Sequence, residues 1–482
     1  MKQKSIKINF IMNILLTMSS MIFPLITFPY VSRILHPVGT GKVSFAASII
    51  SYFSMFAQLG IPTYGIRICA KVRDDREKLT RTTQELLSIN IVMSAISYLA
   101  LMVAVAVVPR LREDRLLYIV MSFTIIFNTI GMEWLYKALE QYTYITIRSV
   151  IFKIVALIAM FLLIHQQTDY VIYGGISIFA ASASNVFNFM NVHKYIDLKP
   201  IGHYNLKKHF KPICIFFAMA CATTIYTNLD NVMLGFMKSD IDVGYYNAAV
   251  KIRNILISVV TSLGTVLLPR ASYYVENKMF GEFKSITKKA LSFVFLLAVP
   301  LTVYFIVFAK EGIFFLSGNA YEKSILSMKL IMPTLILIGI TNILGIQILV
   351  PLGKEKIVLY SEIAGAIVDV IINIMLIPRY ASAGAAIGTL IAEFVVLIVQ
   401  YIALKDDVAV AFKQIHYYRI LQALILGITV SIWVKFIEVG YFIKMVISSI
   451  LFFGIYGLFL FLHKEEMIVE VWKTIIRKII KK

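Results

Sequence analysis

The stretch ALSFVFLLAVPLTVYFIVFA, residues 290–309, runs for twenty positions without a charge. At 1.5 Å of rise per residue, a helix of that length covers roughly 30 Å, the thickness of a bilayer's hydrocarbon core. Runs like it recur along the whole chain. Of the 482 residues, 59% are apolar and 15% charged, and the mean hydropathy is +0.81. Soluble domains do not have this composition. Spans are expected near 8–35, 43–68, 82–108, 116–136, 143–164, 171–192, 210–237, 244–270, 287–309, 325–352, 357–378, 385–404, 416–437 and 443–462, fourteen in all. The expected fold is therefore an all-α polytopic membrane protein.

Orientation follows from Lys and Arg placement, because cytoplasmic loops collect them. With the N-terminus inside, the cytoplasmic segments carry about 30 and the outer loops about 10. Both termini are expected in the cytoplasm. The net charge of +20 is then mostly an inner collar facing anionic lipid, with no reason to invoke nucleic acid. The lysine-led opening MKQKSIKINFIMNILLTMSSMIF imitates a signal peptide, but no small-residue cleavage site comes after it and a retained first helix is expected. Cys69, Cys214 and Cys221 form no CxxC or zinc-type spacing. The C-terminal stretch MIVEVWKTIIRKIIKK sets Ile468, Trp472, Ile475, Ile476 and Ile479 on one face and its cations opposite, the pattern of a helix lying on the inner leaflet.

The loops leave no room for an aqueous catalytic domain, and HExxH, GxSxG, P-loop and GxGxxG motifs are missing from suitable settings. Transport is the leading class. A membrane-embedded polysaccharide polymerase or ligase is the alternative from another class. The chain also echoes itself. Gly41 opens GKVSFAAS and Gly244 opens GYYNAAV, 203 positions apart, and Arg67 and Arg270 repeat the offset. Six spans separate each pair, which suggests two parallel six-helix lobes. The expected organisation is lobe one over 1–209, lobe two over 210–404, two further spans within 405–462 and a cytoplasmic amphipathic tail over 463–482.

Charges inside the spans are the candidate functional groups, since intramembrane ions face protein or water. Lys153 lies about ten residues into the fifth span, roughly 15 Å deep, with Arg148 nearer the cytoplasm and Glu133 available to it. Lys251 and Arg253 in the eighth span lie roughly 200° apart on a helical wheel and cannot share a face. Arg33 and Arg67 sit near span ends, where headgroup anchoring is the plain reading. Asp230, in TNLDNVMLGF (227–236), has two readings: a pair with Lys251 at equal depth, or a member of a cation site. For the second, Asp369 and Asn373 share a helical face, and Thr389 lies as far past residue 381 as Asn373 lies before it. Together with Asp230 they form an all-oxygen set suited to a hard cation such as sodium, the plain alternative being inter-helix hydrogen bonding within one lobe. Glu393, one turn beyond Thr389, is a candidate proton carrier. Pro24 and Pro29 should kink the first span and are candidate gating residues. The pairs Tyr245/Tyr246 and Tyr273/Tyr274 are expected to mark membrane interfaces.

SRILHPVGTGKVSFAASIISYF (32–53), LGIPTYGIR (59–67), LDNVMLGF with VGYYNAAVKI and LLPRASYY (229–274), and LIPRYASAGAAIGTLIAEF (376–394) resemble signatures of the Wzx-type polysaccharide flippases, within the multidrug/oligosaccharidyl-lipid/polysaccharide exporter superfamily. His36 and Val38 depart from that family's usual RILGPEG, and Ser382 stands near a usual loop glycine. The resemblance implies alternating access between two lobes in the cytoplasmic membrane of a bacterium. The implied substrate is an isoprenoid-pyrophosphate-linked oligosaccharide, moved to the outer leaflet for capsule, O-antigen or cell-wall polymer. It adds membrane lipids and polysaccharide assembly proteins as partners, and raises Arg33 to a cavity candidate. Lys153, Arg33, Lys251, Arg253 and Arg148 are then the candidates for holding pyrophosphate, and Na+ or H+ the coupling ion, with no other cofactor. A multidrug/cation antiporter of the same superfamily is the closest rival.

Overall fold

The structure, a computed structural model, describes residues 6–202, 204–465, 467 and 469. Its α-helices are α1 Ile6–Gln58, α2 Ile61–Lys71, α3 Arg76–Val107, α4 Pro109–Arg112, α5 Arg115–Gly131, α6 Glu133–Ala138, α7 Tyr142–Leu163, α8 Tyr170–Ile178, α9 Asn185–Asn191, α10 Lys207–Met237, α11 Asp240–Glu276, α12 Phe280–Val307, α13 Ala309–Ser317, α14 Ser324–Ile331, α15 Thr334–Thr341, α16 Glu355–Lys413, α17 Tyr417–Ser431 and α18 Tyr441–Leu462.

Among the described residues, ten helices are long and apolar enough to cross a membrane, or eleven counting α11, which bends by 42° beyond Ser262. Two of the ten each contain two expected spans. In α1 the helix breaks at His36, with φ 53° and ψ −178°, and in α16 at Ala381, with φ 49° and ψ −125°. The second break reverses the chain: a Cβ placed on Gly384 would lie 2.6 Å from the carbonyl oxygen of Leu376, whereas eight residues of straight helix would hold them roughly 12 Å apart. A shorter apolar helix, Arg115–Gly131, occupies the expected fourth span.

Three prolines lie in α1. Pro24 and Pro29 both lie inside α1, yet its one non-helical residue is His36, directly before Pro37. A proline restricts the residue before it away from helical angles and suits the first position of a new helix, so Pro37 explains the break. The expected C-terminal amphipathic helix, with Ile468, Trp472, Ile475, Ile476 and Ile479, lies outside the described residues.

Packing divides the chain into two compact units, 1–244 and 245–482. In the first unit one apolar core gathers Val31 and Leu35 of α1 around Ala156 and Met160 of α7 and Ile176 of α8. A second, at the expected cytoplasmic end, packs Ile61 and Tyr64 of α2 against Trp134 and Leu135 of α6 and Leu79 and Leu86 of α3. The part of α1 after His36 lies antiparallel along α10 and the first turn of α11. A Cβ on Gly41 would fall 1.7 Å from the carbonyl oxygen of Asp240, one on Gly244 would fall 2.0 Å from that of Pro37, and one on Gly60 would meet the Phe217 nitrogen at 2.5 Å. Only glycine allows backbones this close. Between these points Asn231 Nδ2 donates to Ser48 Oγ at 3.1 Å, and the rings of Phe56 and Phe217 lie 5.5 Å apart.

In the second unit α17 packs on α18. Tyr304 of α12 is buried there, with its hydroxyl 2.8 Å from Ser448 Oγ.

Candidate functional site

Two helical turns of α1 and one face of α7 set the position of Lys153. Its ammonium donates to Ser19 Oγ at 2.9 Å and Ser20 Oγ at 2.7 Å. Each serine spends its own hydrogen on the carbonyl oxygen of Leu16, at 2.7 and 3.0 Å, so both hydroxyls turn lone pairs towards the ammonium. Among the described residues no carboxylate lies within ion-pair distance of Lys153. Arg148, five residues earlier on the same helix, is in the opposite situation. It is buried and donates to the Ser184 carbonyl at 2.6 Å and to Asn185 Oδ1 at 3.1 Å. Glu133, itself bridged to Lys137, stands 3.7 Å from its guanidinium. Arg148 is thus built into the unit, as the nearby Glu133 suggested.

Arg33 is exposed and donates to the Pro29 carbonyl oxygen, one turn back in its own helix. In the second unit, Lys251 and Arg253 are half-buried on α11, and Arg253 donates to the side chain of its neighbour Asn254 at 3.2 Å. Arg67 lies in α2, at the expected inner end of the second span.

The carboxylate candidates fall in different units. Asp230 is buried on α10 in the first, beside the Asn231 that bonds Ser48. Asp369, Asn373, Thr389 and Glu393 are buried in the second. There the hairpin at Ala381 brings the two arms of α16 together at Gly388: a Cβ at that position would lie 2.2 Å from Asn373 Oδ1 and 3.0 Å from Asp369 Oδ1. The equal spacing of Asn373 and Thr389 about residue 381 pointed to the two arms lying side by side, and the approach itself falls at Gly388. That spacing missed Tyr246, whose hydroxyl lies 2.9 Å from Thr389 Oγ1. Tyr246 is buried, not an interface anchor as its pairing with Tyr245 had suggested. Among the described residues no three His, Cys, Asp or Glu side chains converge as metal ligands, so a cation here would depend on the amide and hydroxyl oxygens as much as on carboxylate.

Two further clusters escaped the sequence reading. Glu85 of α3, fully buried, accepts from Lys208 Nζ at 2.7 Å and the Asn205 amide at 2.8 Å, and lies 2.8 Å from His209 Nε2. The other nitrogen of His209 lies 2.8 Å from the Tyr64 hydroxyl. At the opposite end of α10, Arg110 bonds Glu113 at 3.1 Å and the Gly235 carbonyl at 3.0 Å, and makes a short ion pair with Asp240. Beside it Lys42 and the Tyr170 hydroxyl both reach Asp114 Oδ1, at 2.7 and 2.8 Å. The one advance sign of this region was the Gly41/Gly244 repeat, whose members here pack together.

Long apolar helices carrying a few fixed intramembrane ions define a multi-pass membrane protein. The chain belongs to the polysaccharide biosynthesis protein family, whose profile matches residues 6–275, and a MatE profile matches residues 215–375. This sets it within the multidrug/oligosaccharidyl-lipid/polysaccharide exporter superfamily. It is similar to a protein named "Putative O-antigen transporter" of Escherichia coli (strain K12), 24% identical over 78% of this chain and 91% of that one. A protein of the same name from Shigella dysenteriae is 26% identical over 83% of this chain and 100% of its own length. Among solved structures, the lipid II flippase MurJ in an inward closed conformation matches with a TM-score of 0.73 over 94% of this chain and 99% of that one, at 15% identity. That likeness speaks to the fold.

Proposed function

We propose that this protein is a flippase that carries isoprenoid-pyrophosphate-linked oligosaccharides from the cytoplasmic to the outer leaflet of a bacterial cytoplasmic membrane by alternating access. It makes and breaks no covalent bond of its substrate. The observation that carries the reading is the polysaccharide-family match across the whole first unit, the unit that holds a mid-depth lysine with no carboxylate beside it. Such a substrate keeps its tail in the bilayer, but its pyrophosphate and sugars cannot cross hydrocarbon unaided. Lys153 is the residue best suited to receive the anion, with Arg33, Lys251 and Arg253 as further cations on the route.

Transport is driven in this reading by inward movement of Na+ or H+. The oxygens of Asp369, Asn373 and Thr389, all in the second unit, would take the ion, with Glu393 as a proton carrier one turn beyond Thr389. Neutralising a buried carboxylate alters which packing is favoured, so ion occupancy biases a two-state equilibrium. The MatE match over 215–375 favours a second reading, drug/cation antiport, but basic intramembrane groups suit an anionic lipid better than a cationic drug.

The test is flipping of a fluorescent isoprenoid-pyrophosphate oligosaccharide in proteoliposomes. Lys153→Ala should slow it roughly tenfold or more, from the loss of a charge-assisted hydrogen bond worth about 1.5–3 kcal/mol. Asp369→Ala with Asn373→Ala should remove any dependence on a sodium or proton gradient. Absence of flipping by folded wild type across several glycans and gradients would sink the reading.

A further inference from the structure

We propose that the groove between the first half of α1 and α7 holds the polyprenyl chain of the substrate lipid while Lys153, in its wall, holds the adjoining phosphate. The first unit would then carry both anchor and anion. This rests on the flippase reading and adds to it a site for the hydrocarbon.

The groove encloses about 550 Å³. Its walls are Leu15, Ile22 and Ile26 from α1 and Ile151, Ile154 and Leu157 from α7, and all but Leu157 are among the exposed large apolar side chains. Lys153 is the one charged group in the lining. An ammonium has three donors; Ser19 and Ser20 take two. Glu133 acts on Lys153 only from a distance and is itself engaged by Lys137 and Arg148. An ammonium in an apolar wall with no carboxylate in contact is costly, and an anion arriving with a hydrocarbon chain would supply that contact.

Position separates the candidate lipids. From Met12 to Ile26, the ends of the α1 wall, fourteen residues of rise give roughly 21 Å. Ser19, bonded to Lys153, is seven residues from either end, so the groove extends roughly 10 Å to each side of the cation. Translocation inverts the direction in which the chain leaves its headgroup. A groove continuing both ways from a mid-depth cation accepts the chain before and after that inversion.

The test uses the full-length protein in nanodiscs and a polyprenyl pyrophosphate, without glycan, bearing a diazirine in its chain. Crosslinks are mapped by mass spectrometry alongside a diazirine-bearing phosphatidylglycerol, and flipping of the complete oligosaccharide lipid is measured separately. The expected crosslinks fall within 12–26 and 147–157. They should drop roughly tenfold, about 1.4 kcal/mol of binding, in Lys153→Gln and in Ile151→Trp, which fills the groove, and flipping should fall in parallel. Equal labelling by phosphatidylglycerol, indifferent to Lys153→Gln, would reduce the groove to ordinary annular lipid and overturn the proposal. So would polyprenyl crosslinks elsewhere combined with wild-type flipping by Ile151→Trp, a result that leaves the flippase reading intact. Labelling in the groove without any flipping would support the lipid site and remove the transport reading instead. Both variants face the groove rather than the packed core, and a matching melting temperature separates lost binding from lost folding.

Discussion

Lys153 and Arg148 sit on one helix five residues apart, and their surroundings separate their roles. Arg148 is buried among a carbonyl, an amide and Glu133, so Arg148→Ala leaves buried acceptors unpaired and should cost about 1–3 kcal/mol of stability, read as a lower melting temperature. Lys153→Ala should leave melting close to wild type while transport falls. His36 makes a different residue-scale case. Its φ of 53° with ψ of −178° borders a region that essentially only glycine occupies, and in the family it resembles, glycine is the usual residue there. His36→Gly should therefore stabilise the protein by about 1 kcal/mol, measurable in denaturant or thermal unfolding. The nearness of Glu133 to Arg148 could be read from the sequence by counting along the spans. The serine contacts could not, because Ser184 and Ser19 approach Arg148 and Lys153 only through tertiary packing.

Among the elements, the glycine-lined seam between α1 and α10 sets a firm limit on side-chain size. A methyl group at Gly41 would strike the Asp240 carbonyl, a backbone atom that cannot swing aside. Gly41→Ala should part the helices locally and cost about 1–3 kcal/mol, and the neighbouring Arg110–Asp240 ion pair should loosen with it. Crosslinking between cysteines introduced at Lys42 and Asp240 would report that separation as lost yield. The hairpin within α16 was partly legible: equal spacing about residue 381 placed Asn373 opposite Thr389, and Gly388 makes the approach possible. Tyr246 was not legible, since a tyrosine pair at a span end reads as an interface anchor until the helix containing it is packed. Which proline marks the break in α1 was not legible for a related reason. The missing hydrogen-bond donors of the prolines could be read from the sequence, but where the helix leaves helical angles depends on where the chain packs next, and that place is His36, directly before Pro37.

At the scale of the whole molecule, hydrophobic run length predicted fourteen spans. The ten long apolar helices accommodate that number because two of them hold a pair of spans each, α11 is bent and α5 is short. The periodicity of apolar residues survives any arrangement of helices, so membrane class and span positions were legible; the grouping of helices depends on contacts no single segment records. Gly41 and Gly244, 203 positions apart in the sequence, pack together within the first unit. From Gly41 to Gly60 the seam extends over nineteen residues, roughly 28 Å, close to the thickness of the hydrocarbon core. Viewed electrically, backbone pressed to backbone at both ends and ring against ring between them is insulation. These close contacts predict that no ion passes along the seam, so vesicles containing the protein should hold a proton gradient as long as empty ones. Gly41→Leu, by wedging the outer end, should make them leak.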